Sequence, residues 1–398
     1  MFRNLAKLCS SSTIKKTKCF IKHDYSIGIK PKRFATIYSE NVYKFAGPVS
    51  IRIQQIHVSA PNKALHPLLI FLFRPITKLS AILFGRFLRK RWQKLTPEEK
   101  EEFWKKVKSK QAYIVMAGTS LLGFSYLYYI EHIQEDPITK RKKFIIFKDE
   151  QMKIIAQLEF ENQVRQFRSD IVPISHPIYR RVARVANRIL ALNGDIAQIR
   201  NKNWGITVID RPEITNAFVL PEGKIFVFSG MLNACSNDDQ LAIVLSHEIS
   251  HALCSHIAES MSRIIFLEMF LLIPSVMLWS IFPDVWAFIS EWVTNYLSQI
   301  MFHLPFSRKL EMEADVVGLQ LAAKACFDVR EAPVLWAKMK LVNESPVPAE
   351  WLSTHPSHET RQIELRALVP KALRVREMSN CPLLGPLSKS SMYYGYST

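Results

Sequence analysis

The chain has 398 residues, 48% of them hydrophobic, and a net charge of +18 at neutral pH. That charge is local: nine Lys and Arg against Asp24 make residues 1–38 +8, and thirteen against four glutamates make residues 62–110 +9, so residues 111–398 are net neutral. The larger part of the chain has no electrostatic footprint for nucleic acid, and that class of partner is excluded.

Residues 1–20, MFRNLAKLCSSSTIKKTKCF, are basic, serine-bearing and poor in acids, with no long apolar stretch. This composition fits a mitochondrial transit peptide over 1–38 and not a secretory signal. Residues 64–92 mix apolar blocks with Arg74, Pro75, Lys78 and Arg86, and the unbroken run 67–73 is too short to span a bilayer. The segment 62–110 is expected to lie on an anionic membrane surface, its basic side chains reaching to headgroups. Residues 112–130, AYIVMAGTSLLGFSYLYYI, hold no charge and have the length of a transmembrane helix. Lys105, Lys106, Lys108 and Lys110 precede it, whereas EHIQEDPIT after it has no Lys or Arg. The positive-inside bias then leaves the N-terminus in the matrix and residues 131–398 in the intermembrane space, behind a single span of the inner membrane.

Residues 150–375 read as one α+β domain, mainly helical with a small sheet. Helices are expected over 150–168 and 176–193. GITVID, NAFVLP and KIFVFSG read as short strands, with Glu222–Gly223 turning between the last two. A helix begins at CSNDDQ, where Ser236 or Asn237 can cap it and Asp238 and Asp239 suit its positive end. Residues 263–304 are unusually apolar, and Pro274, Pro283 and Asp284 are expected to break them into pieces. Two apolar helices dipping into the membrane surface are preferred there; a second span and burial in the core stay open. Residues 376–398 read as an extended tail.

The stretch LAIVLSHEISHAL, 241–253, places His247, Glu248 and His251 in an apolar run. On a helix, positions i and i+4 share one face, so both imidazoles can point at one zinc ion. Glu248 leans over the same site, where a carboxylate can take a proton from water, acting as general base. A catalytic zinc needs a third ligand. Downstream, SRKLEMEADVVGLQLAAKA repeats the i, i+4 spacing with Glu311 and Asp315. Glu311 can close the ligand set, one zinc per subunit, and Asp315 is placed to accept a hydrogen bond from a ligand imidazole, His247 by preference. Glu313 is expected to belong to a solvated acidic face. The six cysteines include no C-x-x-C pair, which excludes a zinc ribbon or thioredoxin-type site. No G-x-S-x-G or Cys/His arrangement supports a covalent mechanism.

Together SHEISHALCSH, EMEAD, NAFVLPEGKIFVFSGML and STHPSHETR resemble the M48 zinc metallopeptidases over about residues 175–370. The resemblance implies a gluzincin-type fold, His247, His251 and Glu311 as zinc ligands, and Glu248 as the base. It makes NAFVLP, with Asn216, Ala217 and Phe218, the cleft-edge strand that pairs with an extended substrate. It places His355 and Arg361 at the substrate or the tetrahedral intermediate, and matches His256 to a recurrent family histidine without giving it a role. Glu222 stands where many relatives have Gly or Asn. The likeness is to the mitochondrial inner-membrane branch, which implies stress-activated quality control. Such an enzyme clips membrane-anchored proteins, notably the dynamin-like fusion GTPase, and itself. The basic segment 62–110, on anionic, cardiolipin-rich lipid, is a candidate sensor of membrane potential. Cys326 and Cys381 then fall in an oxidising compartment, where they are candidates for a redox-tuned disulfide. The rival readings are a prenyl-protein endopeptidase, which needs several transmembrane helices, and a non-enzymatic membrane scaffold with a dead metal site. Self-association into a homo-oligomer stays open.

Overall fold

The computed structural model describes residues 66–298, 304–343, 355 and 361–387. The expected transit peptide therefore lies outside the described residues, as do most of STHPSHETR and the last part of the tail. Three helices come first: α1 (His66–Lys94), α2 (Pro97–Ser109) and α3 (Gln111–Glu131). Pro97 stands at the first turn of α2, and Thr96 and Glu99 exchange reciprocal cap hydrogen bonds. No residue of α3 is buried. A hairpin of β1 (Ile133–Glu135) and β2 (Lys142–Phe144) follows directly. Its buried Lys143 Nζ lies 2.7 Å from Asp136 Oδ2 and 3.0 Å from the Cys254 carbonyl.

There follow α4 (Asp149–Gln166), α5 (Pro177–Leu192), the single turn α6 (Ala197–Asn201), β3 (Gly205–Ile209), β4 (Ala217–Leu220), β5 (Lys224–Phe228), the short α7 (Ser229–Ala234) and α8 (Asp238–Leu253). In α5, Val182, Val185, Ala186, Ile189 and Leu190 recur at helical spacing and are all buried. The sheet runs β3–β5–β4, with β3 parallel to β5 and β4 antiparallel to it, Ala217 opposite Val227. Gly223 turns between β4 and β5 at φ +87°, a conformation that favours glycine. β3 and β4 are its two edges, and the β3 side carries an isolated bridge from Ile171 to Ile209. The core lies between this sheet, α5 and α8, with Ile225, Val227, Leu241 and Leu245 fully buried.

Beyond α8 come α9 (His256–Ile281), α10 (Asp284–Ser298), α11 (Leu304–Lys324), α12 (Glu331–Asn343) and α13 (Arg361–Met378). Pro274 sits inside α9 without ending it, contrary to expectation; among the described residues the apolar stretch is divided at Pro283–Asp284. A helix-interior proline removes one donor, a loss that neighbouring turns and packing can absorb. Here α1 runs along α9, with Arg86 over the Trp279 ring at 4.7 Å. Arg89 also donates to the Phe282 carbonyl and to Asp284, and Arg86 pairs with Asp284 at 3.1 Å. By length and composition α3 and α9 are each apolar enough to cross a membrane. The last helix continues to Met378, past the expected start of the tail.

Cys326 and Cys381 form a disulfide, Cα atoms 5.3 Å apart, that ties the end of α11 to the segment after α13. It closes a separation of 55 residues, for which loop-closure entropy gives about 4 kcal/mol. The Cys326→Ser/Cys381→Ser chain is therefore expected to unfold at lower denaturant concentration than the oxidised native chain. Equal midpoints would show that the bridge carries no stability.

Candidate active site

Helix α8 starts where Asn237 Oδ1 accepts from Gln240 N at 2.8 Å, and Asp238 and Asp239 occupy its first turn. Its middle is buried all round, including His247 and Glu248. Polar groups at such positions need partners, and a second helix supplies them. α11 crosses α8 so closely that a Cβ on Gly318 would lie 2.9 Å from the His247 backbone. Any larger residue there pushes the helices apart and moves Glu311 away from the imidazoles.

The paired rings meet at the i, i+4 face. His251 Nε2 is 3.1 Å from His247 Nε2. Glu311 closes in with Oε2 3.3 Å from His247 Nε2 and Oε1 3.6 Å from His251 Nε2. His355 joins them: its Nδ1 lies 3.0 Å from Glu311 Oε2 and 3.4 Å from His247 Nε2. Donor atoms of His247, His251, Glu311 and His355 all fall within 4.8 Å of one another. Two imidazoles and a carboxylate from two rigid helices fit a divalent cation of the zinc type. His355 adds a fourth donor atom to the set, whereas the sequence placed it with the substrate. Its Nε2 also lies 3.4 Å from Glu248 Oε1, so one ring touches both the donor cluster and the base.

Behind these groups stand two charged supports. Asp315 Oδ1 is 3.0 Å from His247 Nδ1, the bond its spacing anticipates. Arg361 is buried and donates through Nε and Nη2 to Asp315 at 2.7 and 2.8 Å, and through Nη1 to Glu311 at 3.1 Å. Its guanidinium stacks 3.7 Å over Trp336. The observed place of Arg361 is thus behind the carboxylates and not at the substrate. A planar two-pronged donor is required to serve Asp315 while stacked. The other support holds His256, whose Nδ1 is 2.9 Å from His251 Nδ1 and whose Nε2 is 3.1 Å from Glu313 Oε2. Glu313 is no solvated residue: its side chain is 9% exposed and paired with Arg141 at 2.8 Å.

The electrostatics follow from burial and pairing. Burial pulls the His247 pKa down, but the Asp315 and Glu311 carboxylates overcome it and raise the pKa to about 9. His251 is driven well below its ordinary value, by burial first and then by the neighbouring His247. Burial pushes Glu311 up, yet its hydrogen bonds to His247 and His355 hold it well below the usual carboxylate range. Glu311 therefore stays ionised beside the imidazoles, and a cation bound there takes the place of the His247 proton.

Edge strand β4 lies against α8. Phe228 N donates to the Asn216 carbonyl, so by antiparallel alternation Phe218 is bonded to β5, while Ala217 and Val219 turn their main-chain groups to the open edge. Phe218 stacks its ring on Phe226 at 4.9 Å, within the sheet. The Asn216 side chain is 7% exposed, and its Oδ1 has no partner among the described residues. A cavity of about 780 Å³ next to the site is lined by His251, Pro221, Glu222, Lys148 and Lys202.

A buried H-E-x-x-H helix whose imidazoles face a glutamate from a second helix defines a metallopeptidase. The sequence profile described as peptidase family M48 matches residues 179–369. Metalloendopeptidase OMA1, mitochondrial, of Homo sapiens is 39% identical over 376 residues, covering 92% of this chain and 71% of that protein. Mitochondrial metalloendopeptidase OMA1 of Saccharomyces cerevisiae is 32% identical over 295 residues, covering 71% of this chain and 81% of that protein. The β-barrel assembly-enhancing protease of Escherichia coli is 30% identical over 163 residues, covering 40% of this chain and 33% of that protein. The chain belongs to peptidase family M48 and is a mitochondrial metalloendopeptidase.

Proposed function

We propose that this chain is a zinc endopeptidase of the mitochondrial inner membrane. Its catalytic portion faces the intermembrane space and cleaves membrane-anchored proteins under stress, the dynamin-like fusion GTPase and the chain itself among them. The observation that carries the reading is the convergence of His247, His251 and Glu311 beside the buried carboxylate of Glu248. When bound, zinc supplies a Lewis acid for the scissile carbonyl and acidifies water. Glu248 takes the proton of the attacking water and passes it to the leaving amine. Asp315 fixes the His247 ring, and Arg361 fixes Asp315 and Glu311 together. The open edge at Ala217 and Val219 takes an extended substrate as an added strand.

The membrane part of the reading rests on α3, which has no buried residue and is preceded by lysines, and on the ion pairs that bind α1 to the apolar α9–α10 pair. Arg89 is committed to Asp284, so exposed Lys90, Arg91 and Lys94 are the charges available to anionic lipid and to the membrane potential. The test compares N-termini in mitochondria carrying the native chain with those carrying Glu248→Gln, before and after depolarisation. Depolarisation is expected to create intermembrane-space N-termini, including one in this chain, with the native form alone. The same N-termini in both forms would contradict the proposal.

A further inference from the structure

The side of the site away from Asp315 holds a line of groups that the reaction as described does not use. It starts at Ser255, which takes a left-handed conformation at φ +56° between α8 and α9, unusual for a residue with a side chain. That turn brings His256 back beneath His251, five residues earlier, with their Nδ1 atoms 2.9 Å apart. For His251 to offer Nε2 to a cation, its Nδ1 must carry the proton and donate to His256 Nδ1. His256 then carries its proton on Nε2 and donates to Glu313 Oε2 at 3.1 Å. Arg141 meets that carboxylate through Nε at 2.8 Å, and Thr139 donates its hydroxyl to the other oxygen. The remaining prongs of Arg141 hold Glu259, which is 2% exposed, with Nη1–Oε1 at 2.7 Å. Every donor in this line points the same way, from His251 and Arg141 inward to two carboxylates.

We infer that His256, Glu313 and Arg141 are positioning residues that fix the ring and tautomer of His251, so that the hairpin directly after the membrane-spanning helix is a working part of the active site. Arg141 lies outside residues 179–369 and 172 residues before its partner Glu313, so the catalytic portion alone lacks one end of the line. The inference rests on His251 being a metal ligand. Carboxylates and imidazoles that orient a ligating histidine raise its basicity and hold its lone pair on the ion, and changing them costs about 10–100-fold in metal affinity. The same cluster offers Cys254, His256 and Glu313 as donors for a second cation. The Arg141 guanidinium beside Glu313 opposes that use, because it already neutralises the carboxylate.

The test measures zinc affinity of the full chain in detergent by competition with a chromophoric chelator, and counts zinc per chain. His251→Ala serves as the reference. Arg141→Ala, Glu313→Ala and His256→Ala are each expected to weaken zinc binding by about 10–100-fold. Arg141→Lys, which keeps the charge without the fork, is expected to recover part of the loss. Adding Arg141→Ala to His256→Ala should cost nothing further, because the route to His251 is already cut. Additive losses would mean that Arg141 acts on general stability and would overturn the inference. So would native zinc affinity in Arg141→Ala and Glu313→Ala while His251→Ala loses its metal, or two zinc ions per native chain. Native affinity in His251→Ala would instead overturn the ligand assignment on which the inference stands.

Discussion

Glu248→Gln is expected to keep its zinc and to cleave peptides about 10²–10⁴-fold more slowly, the usual worth of a positioned general base. Glutamine has the same shape, so it fits the buried place of Glu248 in α8 without opening a cavity. The donor cluster does not include Glu248, so the metal site is left whole. What goes is the ability to accept a proton. The loss should appear in kcat with KM nearly unchanged, because substrate binding at the β4 edge uses main-chain groups and not this carboxylate. Zinc content and kinetics on one preparation decide it. A variant that keeps full activity would show that Glu248 is not the base, whereas a native chain that holds zinc and cleaves nothing would point to the scaffold reading.

Glu311→Ala should do something different. It removes a charged donor, and it strips a counter-charge from His247 and Arg361, both buried. Zinc affinity is expected to fall by more than about 100-fold, since even groups that only orient a ligand cost 10–100-fold. Breaking one partner from a buried charge cluster also costs about 3–5 kcal/mol of stability. The metal-free variant should therefore melt below the metal-free native chain, and added zinc should raise its melting temperature far less. If zinc stabilises both forms equally, Glu311 does not hold the ion.

Much of this was legible because local spacing decided it. His247, Glu248 and His251 share a face by helical geometry alone. Glu311 and Asp315 do the same on α11, and both reach the neighbourhood of His247. The strands at 205–209, 217–220 and 224–228, and the Asn237 cap, follow from alternation and turn chemistry. The remaining features depend on contacts between distant segments. Glu313 is off the Glu311–Asp315 face, and its burial is decided by a hairpin 172 residues earlier. His256 looked idle because the left-handed turn at Ser255 has no glycine to announce it. Pro274 suggested a break, but α9 continues against α1. Arg361 looked like a substrate contact until Trp336 and Asp315 fixed its guanidinium inside.

The most direct test is an anomalous difference map at the zinc edge from crystals of the active full-length protein. The structure calls for one peak per chain, within bonding distance of the His247 and His251 Nε2 atoms and of the Glu311 carboxylate. No peak from a fully active preparation, or a single peak at Cys254, His256 and Glu313 instead, would contradict it.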